Sequence, residues 1–210
     1  MERIEKTKIR IIYYTLFSRL LTREIDEQTV DIIKQGCSTD ELMSDMFRLS
    51  AEWDEFQTKS PKEIAELLAV EYVDLFILKL IPYESFYTSE NKMIESGDEN
   101  KTTVFYKKYG FEADLIAARV VSGDHIGIEF EFMMTLIKHE LEALEKGELE
   151  YADKITSIQK EFLKEHLLPF AFHFLPPLAS SSKTPFYKDV GEVSLEFILS
   201  DFEELNKHNG

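Results

Sequence analysis

Apolar residues recur along most of this 210-residue chain at the three- and four-residue spacing of amphipathic helices. In "DELMSDMFRLSAEWDEF" Leu42, Met46, Leu49, Trp53 and Phe56 make one stripe, and Thr39 or Asp40 can cap its start. "SPKEIAELLAVEYVDLFILKL" opens with Ser60 as N-cap, Pro61 at the first helical position and Glu63 completing a capping box. Pro82 disfavours helical geometry in the residue before it, so this helix should stop near Leu80. From Pro82 to Asn100 the periodicity lapses, and a loop of that length in a compact domain is usually functional or mobile. "KTTVFYKKYG" predicts a short helix closed by Gly110, and 112–119 another. Helices at 151–167 and 185–205 complete the chain, with "LPPLASSSK" as a connector and Thr184 as the cap before Pro185. The pattern predicts an all-α bundle of roughly eight to ten helices.

One stretch reads two ways. In "SGDHIGIEFEFMM" (122–134), Ile126, Ile128, Phe130 and Phe132 alternate with Gly127, Glu129 and Glu131, as in a half-buried strand. Ile126, Phe130, Met133, Ile137, Leu141 and Leu144 also form a helical stripe, which runs about six turns to a stop at Gly147. A lone strand without a partner would leave its backbone groups unpaired, so the helix is preferred. Its first turns are apolar nearly all round, as in a central helix, and Glu129 falls between Met133 and Leu136, where a carboxylate needs a partner.

Composition narrows the function. With 44% hydrophobic residues, 16 Phe and 9 Tyr, the chain can bury a sizeable core as one domain or two small lobes. The net charge of −16 disfavours nucleic acid and anionic membrane surfaces and favours a basic partner, such as an Arg- or Lys-bearing peptide. A single cysteine, Cys37, allows neither an internal disulfide nor a Cys-paired metal site. "MERIEKTKIR" is not a signal peptide, and no apolar run is long enough to span a bilayer, so cytoplasmic residence is the default.

Asp124 stands where the chain enters the 126–146 helix and can cap it, and His125 can pair with Glu129 one turn on. A rival reading makes His125 and Glu129 ligands in a small metal-dependent hydrolase. His139 lies about 21 Å farther along the axis, too far to join them, and no HExxH, GxSxG or phosphate-cradling loop occurs. Tyr72, Leu75 and Phe76 share one helical face, and Tyr83, Phe86 and Tyr87 surround Glu84. Such a set would suit a groove for an apolar peptide bearing positive charge, although plain core packing explains any one of these aromatics.

"YVDLF" (72–76), "PYESFY" (82–87) and "DHIGIEFEFM" (124–133), followed by "FLKEHLLPF" (162–170) and "TPFYKDV" (184–190), together resemble the TorD/DmsD-like, NarJ-related family of redox-enzyme maturation chaperones. The resemblance covers most of the chain from about residue 65. It implies an all-helical fold of two lobes, which here would be 1–120 and 126–210 joined by a hinge at 121–125. It implies a cytoplasmic chaperone rather than an enzyme, with no cofactor of its own. The client would be a molybdoenzyme subunit, bound through its twin-arginine signal peptide or its apo form and held for molybdopterin insertion. The peptide-binding residues would be Tyr72, Leu75, Phe76, Tyr83, Glu84, Ser85, Tyr87, Asp124, His125 and Glu129. Carboxylates there could meet arginines in charge-assisted bonds, and the aromatics could pack the apolar run. The family's Glu-Pro before the Asp-His pair is absent from "VVSGDH", which loosens the hinge, and Phe170 stands where Trp is common. Such a hinge leaves a monomer or a homodimer formed by exchange of lobes as the expected states.

Overall fold

In the computed structural model, residues 2–95 and 100–207 are described, and among them every regular element is a helix, with no strand. The Gly- and Asp-bearing end of the expected long loop, 96–99, lies outside the described residues. The helices are α1 (Glu2–Thr22), α2 (Glu27–Thr39), α3 (Glu41–Met46), α4 (Arg48–Ala51), α5 (Asp54–Thr58) and α6 (Pro61–Tyr72), which continues as a π-helix over Val73–Lys79. After these come α7 (Glu84–Thr88), α8 (Lys101–Lys108), α9 (Leu115–Ala118) and α10 (Ile126–Lys146). Next is α11 (Leu149–Phe162) with a π-helical extension Leu163–Leu167, and the chain ends in α12 (Leu168–Ser181) and α13 (Pro185–Lys207). The segments exceed the eight to ten expected because α4, α5, α7 and α9 are one-turn pieces that periodicity does not resolve.

Several sequence signals hold. Ser60 and Glu63 form the capping box, with Glu63 N–H donating to Ser60 Oγ at 3.3 Å and Ser60 N–H to Glu63 Oε2 at 2.9 Å. The π-helix stops at Lys79, with Leu80 as its C-cap. Gly110 and Gly147 take the left-handed conformation just past α8 and at the end of α10, with φ of 73° and 76°. The 126–146 stretch is helix, not strand.

Three expectations change. The 42–56 stripe is not one helix but α3, α4 and α5, because Phe47 turns inward and stacks on Phe186, with ring centroids 5.6 Å apart. Asp189 accepts from the freed N–H groups of Leu49 and Ser50 at 3.3 and 2.8 Å. "LPPLASSSK" is mostly helix rather than connector. α12 carries Pro176 and Pro177 inside it and buries Phe170, Phe174, Leu175 and Leu178, an apolar burial that outweighs two missing N–H donors. Thr184 does not cap α13 with its hydroxyl, which has no partner; Glu71 Oε1 accepts from the backbone N–H of Lys183 and of Thr184 instead, the latter at 3.0 Å.

The chain divides into two compact units, one of Met1–Thr22, Tyr83–Ala171 and Ile198–Gly210, the other of Arg23–Pro82 and Phe172–Phe197. The segment 121–125 lies inside the first unit, whereas the chain passes between units at four other points. In the first unit α1 runs along α10, with Tyr14 and Phe17 against Phe130 at 5.7 and 5.9 Å. Gly127 permits the approach, since a Cβ there would come within 2.9 Å of the Thr22 backbone nitrogen. Arg10 ties the layers together. It meets Asp201 through Nε at 2.6 Å and Nη2 at 3.0 Å, Glu140 at 3.2 Å and Gln159 at 2.7 Å. In the second unit Tyr72 stacks on Phe76 at 4.4 Å, and Phe76 packs against Phe174 and Tyr187.

Candidate functional site

The structure joins two of the sequence-distant stretches. Pro82 ends the preceding helix, and the chain then lies across the start of α10, where Tyr83 forms a single antiparallel bridge with His125. Glu84 N–H donates to the Asp124 carbonyl at 3.0 Å, and Ser85 N–H to Asp124 Oδ2 at 2.8 Å. The Tyr83 hydroxyl accepts from Val121 N–H at 3.2 Å, its ring stands edge-on to His125 at 5.1 Å, and Ser85 Oγ accepts from Glu95 N–H at 2.9 Å. "PYES" and "SGDH" are therefore one latch.

Asp124 does cap a helix, but not its own. Its carboxylate serves the first turn of α7, 39 residues back, while His125 is the N-cap of α10 and accepts from Gly127 N–H through Nδ1 at 3.2 Å. With Nδ1 accepting, the ring proton sits on Nε2. Burial pushes the His125 pKa down to about 3, so the imidazole is neutral at ordinary pH.

Beneath the latch lies a buried acidic group. Glu84 has its carboxylate against His166 Nδ1, at 3.1 and 3.2 Å, and accepts from the Thr102 hydroxyl. His166 is itself stacked on Phe162 at 5.2 Å. Glu129 is not paired with His125, and both of its oxygens are buried without a hydrogen-bond partner. Burial, and then the charges of Glu84 and Asp124, hold its carboxyl well above the ordinary carboxylate range. The Tyr106 hydroxyl is also unpartnered and is pushed well above its ordinary value by burial and then by Glu129, Glu84 and Asp124.

Of the ten residues expected at a binding site, seven fall in the first unit: Tyr83, Glu84, Ser85, Tyr87, Asp124, His125 and Glu129. Tyr72, Leu75 and Phe76 belong to the second, where they are core. All but Tyr87 are buried. Thr102, Tyr106 and His166 join the group without having been anticipated. They lie 18 to 82 residues from Glu84, and the only hint of any of them was His166 within "FLKEHLLPF".

Chemically the arrangement is a fastening. The imidazole of His125 is neutral and engaged, and the Glu129 carboxyl is enclosed. Burial raises the Cys37 thiol to about 11, so it stays protonated. Among the described residues, no group of three or more His, Cys, Asp or Glu side chains could hold a metal ion, and no helix is long and apolar enough to cross a membrane.

The family model for the nitrate reductase delta subunit matches residues 40–175, nearly two thirds of the chain and a span that includes all ten expected residues. The chain belongs to the nitrate reductase delta subunit family. This is a NarJ-related family of molybdoenzyme maturation chaperones, proteins that act as chaperones rather than as catalysts. The match spans the pinned segment, the Asp-His latch and the Glu84–His166 pair together. Its members act with nitrate reductase subunits.

Proposed function

We propose that this chain is a cytoplasmic chaperone, not an enzyme, that binds the twin-arginine signal peptide or the apo form of a molybdoenzyme subunit. It would hold that client until molybdopterin is inserted. The observation that carries the reading is the family match over 40–175, on a chain whose net charge of −16 would steer a cationic segment toward it. Two guanidinium groups joined to a short apolar run suit an acidic surface with exposed apolar side chains, because arginine pairs with carboxylates in planar, two-bonded geometry.

In this reading most of the ten residues act by holding their own unit in shape. Asp124, His125, Tyr83, Glu84 and Ser85 fasten one segment, Glu129 fills the layer beneath, Tyr72, Leu75 and Phe76 support a helix from below, and Tyr87 is half-exposed. Calorimetric titration with a twin-arginine peptide and its Lys-Lys variant, at low and physiological salt, tests the function. Saturable binding that weakens with salt and with the lysine change is expected; equal binding to both peptides would point to a helical scaffold without signal-peptide specificity.

A further inference from the structure

The family-motif residues Tyr72, Leu75 and Phe76 face inward, and the residues between them form a surface of a different kind. Along α6 and its π-helical continuation, Leu67 is 40% exposed, Val70 74%, Val73 40%, Ile77 67% and Leu78 73%. Solvent-facing helix positions ordinarily carry polar residues, and exposed apolar residues ordinarily stand singly. Here five occur over the twelve residues from Leu67 to Leu78, about 16 Å from first to last at 1.5 Å per residue. The π-helix contributes to the alignment: Leu80 N–H donates to the Leu75 carbonyl at 2.8 Å, five residues back. That wider turn brings Val73 and Leu78 to the same side of the helix, and π-helical turns are frequent at functional sites. Asp74, the one charged residue between Leu67 and Leu78 that is not buried, is engaged by Lys79 and by Lys183, each at 2.8 Å.

We propose that this strip is the docking face for an apolar peptide segment bearing arginines, a proposal that rests on the function given above and assigns it a surface. Charge selects the occupant. The second unit carries 17 acidic and 8 basic residues, a net of −9. A second copy of the chain would bring the same negative unit against itself, and an anionic lipid surface would be repelled. A cationic apolar segment gains on both counts: its apolar side chains cover Val70, Val73, Ile77 and Leu78, and its arginines are opposite in sign to the unit's net of −9. Glu66 extends the strip at its N-terminal end, one turn before Val70, with Lys62 one turn before Glu66.

The test uses the full chain and its triple variant Val70→Ser, Ile77→Ser, Leu78→Asn, with a fluorescent twin-arginine peptide as probe and sedimentation to fix the oligomeric state. Because the three side chains are exposed, the variant should keep the melting midpoint of the parent. The expected result is an unchanged melt with peptide affinity weakened by about tenfold or more. Unchanged affinity in a folded variant would overturn the strip while leaving the chaperone function intact. Failure of the parent chain to bind any of several such peptides would overturn the strip and the signal-peptide reading together. A parent dimer that becomes monomeric in the variant with peptide affinity retained would assign the strip to self-association and overturn the proposal.

Discussion

Replacing Asp124 by Ala removes the acceptor that receives Ser85 N–H at 2.8 Å, with both residues buried. A hydrogen bond to a charged group contributes roughly 1.5–3 kcal/mol, and a buried N–H left without an acceptor costs about 1–3 kcal/mol. Those figures overlap, so the expected loss for Asp124→Ala is about 2–4 kcal/mol. Asp124→Asn keeps an oxygen facing Ser85 and lifts one of the two negative charges, Asp124 and Glu84, that add to burial in raising the Glu129 carboxyl. Its cost should be under about 1.5 kcal/mol, the value of an ordinary neutral hydrogen bond. Urea unfolding followed by circular dichroism ranks the three proteins, and hydrogen exchange at Ser85 N–H reads the latch itself. Protection there should fall in the Ala variant and persist in the Asn variant. Peptide affinity of folded Asp124→Asn should match the parent, since the side chain is fully buried. An Asn variant as damaged as the Ala variant, or an Ala variant that loses under about 1 kcal/mol, would refute the role of a remote cap.

Burial lowers the His125 pKa from 6.5 to about 3, so between those values the unfolded chain takes up a proton that the folded chain refuses, and stability falls as the pH drops. Relative to His125→Asn, which can still cap α10, the parent should lose about 2 kcal/mol between neutrality and pH 5, at 1.36 kcal/mol per pH unit below 6.5; parallel pH–stability curves would contradict this. Glu129 has the opposite sign. Its folded pKa is raised by burial and then by Glu84 and Asp124, so above the usual carboxylate range the unfolded chain releases a proton that the folded chain keeps. Glu129→Met should therefore stabilise at pH 7.5 by about 1–3 kcal/mol, the cost of an unsatisfied buried polar group, with the gain growing as pH rises; a loss of stability in urea unfolding would mean that the carboxyl has a partner. Arg10→Met leaves Asp201 buried without its cation and Glu140 with Arg3 as its remaining cation, and should cost about 3–5 kcal/mol by thermal or urea unfolding, the measured range for breaking a buried pair.

The local chemistry of the fold was legible in the sequence because it is written in neighbours. Ser60 and Glu63 are three residues apart, Gly110 and Gly147 fall within two residues of the ends of their helices, and the α10 stripe repeats over six turns. What stayed hidden depends on partners far along the chain. Asp124 looked like the cap of the helix it adjoins and instead caps α7. Glu71 replaces Thr184 at α13, and Asp189 serves α4 from 139 residues away. Each is a carboxylate whose acceptor capacity is visible in sequence while its donor is not. The aromatic residues show the same limit. "YVDLF" signals a helix face, yet only packing decides that Tyr72 and Phe76 stack inward while Val73 and Ile77 remain in solvent. The candidate site was thus legible as a set of residues rather than as an arrangement. The residues of "PYES" and "DH" do meet, but they meet as a buried fastening, with Thr102, Tyr106 and His166 beside them.

Chaperone function is tested most directly by calorimetric titration of the full chain with a twin-arginine signal peptide from a molybdoenzyme, alongside its Lys-Lys variant, at low and at physiological salt. Specific recognition predicts saturable binding that weakens as salt screens the net charge of −16 and weakens again when lysines replace the planar guanidinium groups. Absence of binding to several such peptides under low salt would contradict it and would move the function to a surface of the mature enzyme subunit.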